Sequence, residues 1–114
     1  MRRAVIALVA SATFSLAGVA AAQMNGGSDS PASKKYMKAM QAMDDKMKGM
    51  SLTGDPNMDF VMMMTPHHQA AVDMTEAYLK YGKDPQLAQM ARAIVSSQTR
   101  EIKEMNAWQA KHGT

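Results

Sequence analysis

Apolar and polar positions recur at helical spacing along most of the chain, and no stretch shows the two-residue alternation of a β-strand. Three helical segments are predicted, near residues 31–49, 57–81 and 84–112, with turns containing Gly and Pro between them. Each segment follows a residue that favours helix N-caps and has a proline at its start: Ser30-Pro31, Asp55-Pro56 and Asp84-Pro85. The pattern therefore predicts an all-α protein, an antiparallel helical bundle of three long helices.

The first predicted helix has one apolar face, and the second has a wide one. On the first helix, one face contains Met37, Met40, Met43, Met47 and Met50. On the second helix, one face contains Phe60, Met64, His67, Ala71, Met74 and Tyr78, and its neighbour contains Val61, Met64, His68, Val72, Thr75 and Leu79. Two adjacent apolar faces suit a helix that packs against two others. Pro66 removes a backbone donor inside this helix, so a kink or a break is expected just before the histidines.

The third helix has an apolar face that two polar residues interrupt. The face contains Leu87, Ala91, Ile94, Gln98, Glu101, Met105, Trp108 and His112. Burying Gln98 and Glu101 without partners would cost about 1–3 kcal/mol each, so we expect polar partners on a facing helix. Antiparallel pairing across the short 81–85 turn would bring them towards His67 and His68. The terminal His112 is expected to be solvated.

The N-terminal segment has the layout of a cleaved secretory signal peptide. Two arginines precede an apolar run, and an Ala-x-Ala site ends at Ala22. A membrane anchor is the alternative, but the run is rich in alanine and lacks positive charge on its far side. The predicted organisation is a cleaved signal peptide at 1–22, a flexible leader at 23–33 and a Met-rich helical bundle at 34–114. The mature protein is expected to be periplasmic or secreted, without membrane attachment.

Composition narrows the chemistry to soft ligands. After residue 22 the chain has 11 Lys and Arg against 10 Asp and Glu, with no basic block, so nucleic-acid binding is not expected. Cysteine is absent, which excludes disulfides, thiolate sites and thiol catalysis. Of 14 methionines, 13 follow residue 22, against 3 Leu, 3 Val, 2 Ile and 1 Phe. A core selected only for packing would favour the branched and aromatic residues. Thioethers and imidazoles favour copper, so this composition predicts metal binding.

The stretch "MMMTPHHQAAVDM" contains the first candidate ligands. Met63 precedes His67 by four residues, and Met64 precedes His68 by four, which are neighbour spacings on a helix. The two histidines point about 100° apart, so one ion would take one His with one or two Met. Met74 lies about 10 Å beyond His67 along the axis and would serve another ion or the core. The first helix could complete a site with Met40, Met43 or Met47.

Two longer segments resemble a known family. "FVMMMTPHHQAAVDM" and "DPQLAQMARAIVSSQTREIKEMNAW" are similar to paired motifs of a ferritin-like helical family catalogued as a domain of unknown function, which includes CopM-like exported copper-binding proteins. The resemblance covers roughly Met58 to Trp108 and implies a four-helix bundle, so a three-helix chain would be a shorter version or a homodimer. Gln109 stands where the family usually has Leu. By position the resemblance marks Met64, His67, His68, Met74, Gln98, Glu101, Met105 and Trp108.

The residues and the resemblance together predict a binding protein and no enzymatic activity. The expected cargo is copper as Cu(I), with Ag(I) and Cu(II) as further candidates, held for sequestration or for delivery to another periplasmic copper protein. Glu101 and Gln98 are expected around the metal ligands and not in contact with the ion. Glu101 would accept a hydrogen bond from a histidine there. Di-iron chemistry is not expected, because the chain has no Glu-x-x-His motif. The alternatives are a metal-free interaction module with a Met-rich docking face and a methionine oxidant sink.

Overall fold

The computed structural model describes residues 29–113, and this part of the chain contains three helices and no strand. The helices are α1, Pro31–Lys48, α2, Pro56–Tyr81, and α3, Pro85–His112. The predicted all-α helical bundle is confirmed, with each helix boundary within one residue of its predicted place. The predicted signal peptide and residues 23–28 of the predicted leader lie outside the described residues. Residues 31–33 of that leader form the first turn of α1.

Each helix begins with the same local arrangement of a capping side chain followed by proline. The Ser30 hydroxyl accepts a hydrogen bond from the backbone N–H of Ser33 at 3.0 Å. The Asp55 carboxylate accepts from the N–H of Asn57 at 3.0 Å, and Asp84 accepts from that of Leu87 at 2.8 Å. The proline that follows each cap has no N–H to leave unsatisfied. The helix starts are therefore determined by neighbouring residues.

Helix α2 lies at the centre, with α1 packed along one side and α3 along another. Both pairs of helices are antiparallel. The start of α1 lies beside the end of α2, and the start of α3 also lies beside the end of α2. Within residues 29–113 the backbones of α1 and α3 do not contact each other. The molecule is thus an open three-helix arrangement that leaves part of α2 uncovered. No helix in the described range is long and apolar enough to cross a membrane.

The core is thin and consists of small side chains. Its buried residues are Ala39, Val61, Pro66, Ala70, Val72, Ala77 and Ala91. No large side chain among the described residues is fully buried. The predicted inner face of α1 is wrong in part, because Met37 and Met40 are 63% and 39% exposed while Ala39 is buried. Alanine lets two helix backbones approach closely, which turns the longer methionines outwards.

The α1–α2 loop is held by one carboxylate. Asp59 accepts hydrogen bonds from the Thr53 backbone N–H at 2.7 Å, the Thr53 hydroxyl at 2.8 Å and the Gly54 N–H at 3.0 Å. These hydrogen bonds hold the pKa of Asp59 below its ordinary value, and the bond from the Thr53 backbone N–H has the largest effect. Gly54 has a φ of 85°, a left-handed conformation that glycine adopts without steric cost.

The α2–α3 turn is held by packing. The Tyr78 ring lies so close to Gly82 that a Cβ atom there would overlap it. The Tyr78 hydroxyl also donates to the Asp84 carbonyl at 3.4 Å. Upstream of this turn, α2 is one continuous helix from Pro56 to Tyr81 with Pro66 inside it, so of the predicted alternatives, a kink or a break, the break does not occur.

Candidate metal-binding groove

A groove of about 870 Å³ between α2 and α3 brings several candidate residues together. Its lining residues are Pro56, Asn57, Phe60, Val61, Met64, His68, Gln98, Glu101, Glu104, Met105 and Trp108. Helix α2 contributes a thioether and an imidazole one turn apart, at Met64 and His68. Helix α3 contributes a carboxylate and a thioether one turn apart, at Glu101 and Met105. We refer to this feature as the His68 groove.

A short hydrogen bond joins the two helices inside the groove. His68 Nε2 lies 2.6 Å from Glu101 Oε2, and the two side chains are 12% and 41% exposed. An ionised carboxylate only accepts hydrogen bonds, so in the neutral imidazole Nε2 carries the proton and Nδ1 keeps the lone pair. The expected approach of Glu101 to one of the histidines is therefore present. Gln98, the other polar residue of the α3 face, lines the same groove.

The structure separates the two adjacent histidines. His67 is exposed and does not line the His68 groove, and neither does the half-buried Met63 one turn before it. Met74 is also half-buried and outside the groove. At 100° per residue these three side chains leave α2 within about 40° of one another, on a different side from Met64 and His68.

The candidate methionines of α1 also lie outside the groove, because α1 packs on another side of α2. Met40 is exposed, and Met43 and Met47 are half-buried. None of them lines the His68 groove, so the structure does not bring them to His68. Small and charged side chains and one tyrosine line the space of about 370 Å³ at the α1–α2 contact: Lys35, Lys38, Ala39, Ala42, Asp73, Glu76, Ala77, Lys80 and Tyr81.

Of the two aromatic residues of the groove, Trp108 was marked by the family resemblance, whereas Phe60 was not assigned to the site. Phe60 lines it while remaining 59% exposed, and Trp108 lines the same end. The available signal was spacing, since Phe60 precedes Met64 by one turn and Trp108 follows Met105 by three residues. The Trp108 ring stacks on His112, with centroids 4.4 Å apart, and His112 Nδ1 lies 2.8 Å from the Trp108 carbonyl oxygen. His112 is exposed, as expected, but Trp108 holds it in place.

The groove's possible metal ligands are of mixed type, with thioether sulfur and imidazole beside carboxylate. Within residues 29–113, no three His, Asp or Glu side chains come close enough together to hold one ion. Besides His68 and the two glutamates, the His68 groove offers the thioether sulfurs of Met64 and Met105 as donors. Sulfur and imidazole donors select soft ions, while carboxylates and carbonyls suit Mg²⁺ and Ca²⁺.

Comparison with known proteins gives a family. Over 44 residues the chain is 43% identical to an uncharacterized protein, L153, of Acanthamoeba polyphaga mimivirus. That match covers 39% of this chain and 29% of the relative, so the chain matches less than a third of the relative's length. A family model described as a domain of unknown function (DUF305) matches residues 13–109. Because this match covers most of the chain, the protein belongs to the DUF305 family.

Proposed function

We propose that this protein is an exported copper-binding protein that holds Cu(I) in the His68 groove. The observation that supports this most is the convergence of two thioethers and one imidazole, from Met64, Met105 and His68, on one groove between facing helices. All three donors are neutral in the binding form and suit a soft monovalent ion, including Ag(I). The resemblance to CopM-like exported copper-binding proteins supports the same cargo.

Glu101 has a supporting role in this proposal. Its carboxylate accepts the Nε2 proton of His68, which fixes the ring orientation and leaves Nδ1 as the nitrogen available to a metal. The carboxylate also raises the electron density of the imidazole, which strengthens it as a ligand. Both effects act on the ion through His68.

The proposed biological role is sequestration of copper, or its delivery to another exported copper protein. The His68 groove lies at the surface between two helices, and its lining residue Phe60 is 59% exposed. An ion held there by thioethers can exchange with the sulfur ligands of a partner. Sequestration and delivery use the same ligands and differ in the rate at which copper leaves.

A competition titration with Cu(I) and a chromophoric chelator, without oxygen, tests the proposal. The double variant Met64→Leu/Met105→Leu keeps side-chain volume and removes both sulfurs. We expect its Cu(I) affinity to fall by more than about 100-fold, beyond the 10–100-fold typical of losing a supporting residue. The control Met37→Leu/Met90→Leu changes two exposed methionines outside the groove and should leave affinity unchanged. Equal affinity in all three proteins, or no binding by the wild type, would refute the proposal.

A metal-free docking function is the second candidate, because the His68 groove is also lined by apolar and aromatic side chains, including Phe60, Val61 and Trp108. Such a groove suits an apolar segment of another protein. His68→Ala separates the two functions. The copper proposal predicts a large loss of Cu(I) affinity in a folded protein, whereas the docking function predicts no dependence on metal.

A methionine oxidant sink is favoured by different residues. Met37 and Met90 are 63% and 52% exposed and lie outside the His68 groove. An oxidant sink would form sulfoxide first at these exposed positions, and reductase treatment would reverse it. Peptide mass spectrometry after mild peroxide treatment would locate the oxidised methionines.

A further inference from the structure

One end of the molecule has an excess of positive charge. This end, which we call the lysine end, consists of residues 29–38 and 79–88, where the starts of α1 and α3 lie beside the end of α2. It has two carboxylates and five lysines, and the lysines are Lys34, Lys35, Lys38, Lys80 and Lys83. The rest of the described chain has six lysines and arginines against eight carboxylates. Positive charge is therefore concentrated at the lysine end.

The five lysines are exposed and not neutralised by carboxylates. Within residues 29–113 the ion pairs join other residues, so none of these lysines has a carboxylate oxygen within 4.0 Å. Of the two carboxylates of this end, Asp29 and Asp84, the second caps α3. Glu76 and Asp73 also face the α1–α2 space, but they lie one and two turns before Lys80, away from the tip of the molecule.

Large apolar side chains are exposed at the same end. Leu79 and Leu87, on either side of the α2–α3 turn, are 36% and 49% exposed. Met37 is 63% exposed and lies between Lys34 and Lys38 on α1. A soluble anion or an acidic protein segment would contact the lysines alone. A lipid surface contacts both kinds of side chain, since lysine meets the lipid phosphates and apolar side chains enter the acyl boundary.

The chain before the described residues joins the molecule at the lysine end. The described part begins at Asp29, one residue before the cap of α1, so 28 residues lead into this end. They include the apolar run that begins at Ala4, which has the layout of a signal peptide, with a membrane anchor as the alternative. In both cases the lysine end is the part of the helical domain that directly follows the membrane-directed segment.

We propose that the lysine end binds the surface of an anionic lipid bilayer. The lysines contact the lipid phosphates, and Leu79 and Leu87 enter the boundary between headgroups and acyl chains. Residues at the opposite ends of α2 and α3 line the His68 groove, so it stays open to solvent in the bound protein. The expectation that the mature protein lacks membrane attachment concerned spanning segments, and it does not address binding at the surface. This inference is independent of the proposed copper binding.

Co-sedimentation with lipid vesicles tests the proposal, with vesicles of phosphatidylcholine alone compared with vesicles that also contain phosphatidylglycerol. We expect the purified chain to bind the anionic vesicles far more tightly, and the difference to shrink as salt is added. The variant Lys34→Gln/Lys80→Gln/Lys83→Gln should lower the partition coefficient on anionic vesicles roughly 100-fold, at about fivefold for each lysine. The matched control Lys46→Gln/Lys103→Gln/Lys111→Gln removes the same charge from exposed positions outside the lysine end and should bind almost as the wild type does.

Quenching by brominated lipids tests the orientation. The chain has one tryptophan, Trp108, about 30 Å from Leu87 along α3, and it should stay unquenched in the wild type bound to anionic vesicles. Leu87→Trp/Trp108→Phe moves the tryptophan to the lysine end, where we expect strong quenching.

Three results would overturn the proposal: equal binding to neutral and anionic vesicles, equal losses in the two triple variants, or quenching of Trp108 in the wild type. If the chain binds neither kind of vesicle, the lipid surface is wrong and an acidic protein becomes the candidate partner of the lysine end. The Cu(I) titration of the His68 groove is decided separately from all of these results.

Discussion

The two contacts of α2 differ in the side chains that make them. Towards α1, the contact includes buried alanines at 39 and 77, with lysines and carboxylates at its edge. Towards α3, methionine, histidine and glutamate lie side by side in the His68 groove. The first contact contains none of the soft candidate ligands of the His68 groove. The second leaves space between the helices and lines it with ligands, so fold and candidate function are divided between the two sides of one helix.

The connections between the helices also differ in the interaction that holds them. The loop from α1 to α2 depends on an ionised carboxylate, since Asp59 accepts three hydrogen bonds from Thr53 and Gly54. The turn from α2 to α3 depends on the Tyr78 ring against Gly82. Strong acid should therefore loosen the α1–α2 loop, whereas the packing of Tyr78 against Gly82 does not depend on a charge.

The largest expected effect is on packing. Ala70 is 5% exposed and lines neither the space towards α1 nor the His68 groove, so a leucine there would overfill a close-packed position of α2. We expect Ala70→Leu to lower the free energy of unfolding by about 1–3 kcal/mol, whereas Met105→Leu in the groove should cost less than about 1.5 kcal/mol. Urea unfolding followed by far-UV circular dichroism measures both. If Met105→Leu were the more damaging change, the distinction between a tight and a spacious contact would be wrong.

The next effect is on metal affinity. Glu101→Gln keeps the size of the side chain but removes the charge that accepts the His68 proton. We expect Cu(I) affinity to fall by about 10–100-fold, as for other residues that orient a metal ligand. Glu76→Gln, on the α1 side, is the matched control and should leave affinity unchanged. An unchanged affinity in Glu101→Gln would remove this residue from the site.

The smallest effect should be the pH dependence of the α1–α2 loop. The hydrogen bonds from Thr53 and Gly54 hold the pKa of Asp59 below its ordinary value, so they stabilise the folded state when the carboxylate is ionised. This stabilisation is complete above the unfolded pKa of about 3.9 and is lost as the pH falls through the lower folded pKa. Asp59→Asn should therefore be less stable than the wild type at neutral pH, and the difference should vanish in strong acid.

The control for this prediction is Asp44→Asn, on the exposed side of α1. Its stability relative to the wild type should change little over the same pH range. Urea midpoints measured from neutral to strongly acid pH give the comparison. A constant gap between the wild type and Asp59→Asn would show that the carboxylate charge does not hold the loop.

Features that depend on residues close together in the chain could be predicted from the sequence. The three helix starts were predicted because a cap and a proline define them locally, and the approach of α3 to His68 followed from the interrupted apolar face at Gln98 and Glu101. The choice between His67 and His68 for the groove could not be predicted. Both histidines belong to apolar faces with the same spacing, and only the position of α3 selects one.

The orientation of α1 was missed for a related reason. Five methionines at helical spacing outweigh one alanine in any apolar pattern, yet Ala39 faces α2 and Met40 is 39% exposed. The distance between two helix axes depends on the smallest side chains at the contact. An apolar pattern gives these small side chains the least weight, because it is dominated by large apolar residues. Long, flexible methionines can lie beside such a contact at little cost.

The capped helix starts at Ser30, Asp55 and Asp84 have a consequence for how the protein would respond to the proposed ion. Because each helix begins at its own capped first turn, the helix starts do not depend on how the three helices are arranged. The thin core, in contrast, gives that arrangement little support. An ion joining Met64 and His68 to Met105 would fasten α2 to α3 while the amount of helix stays constant. Metal loading should then be visible in tertiary order, such as the near-UV signal of Trp108, and almost invisible in secondary structure.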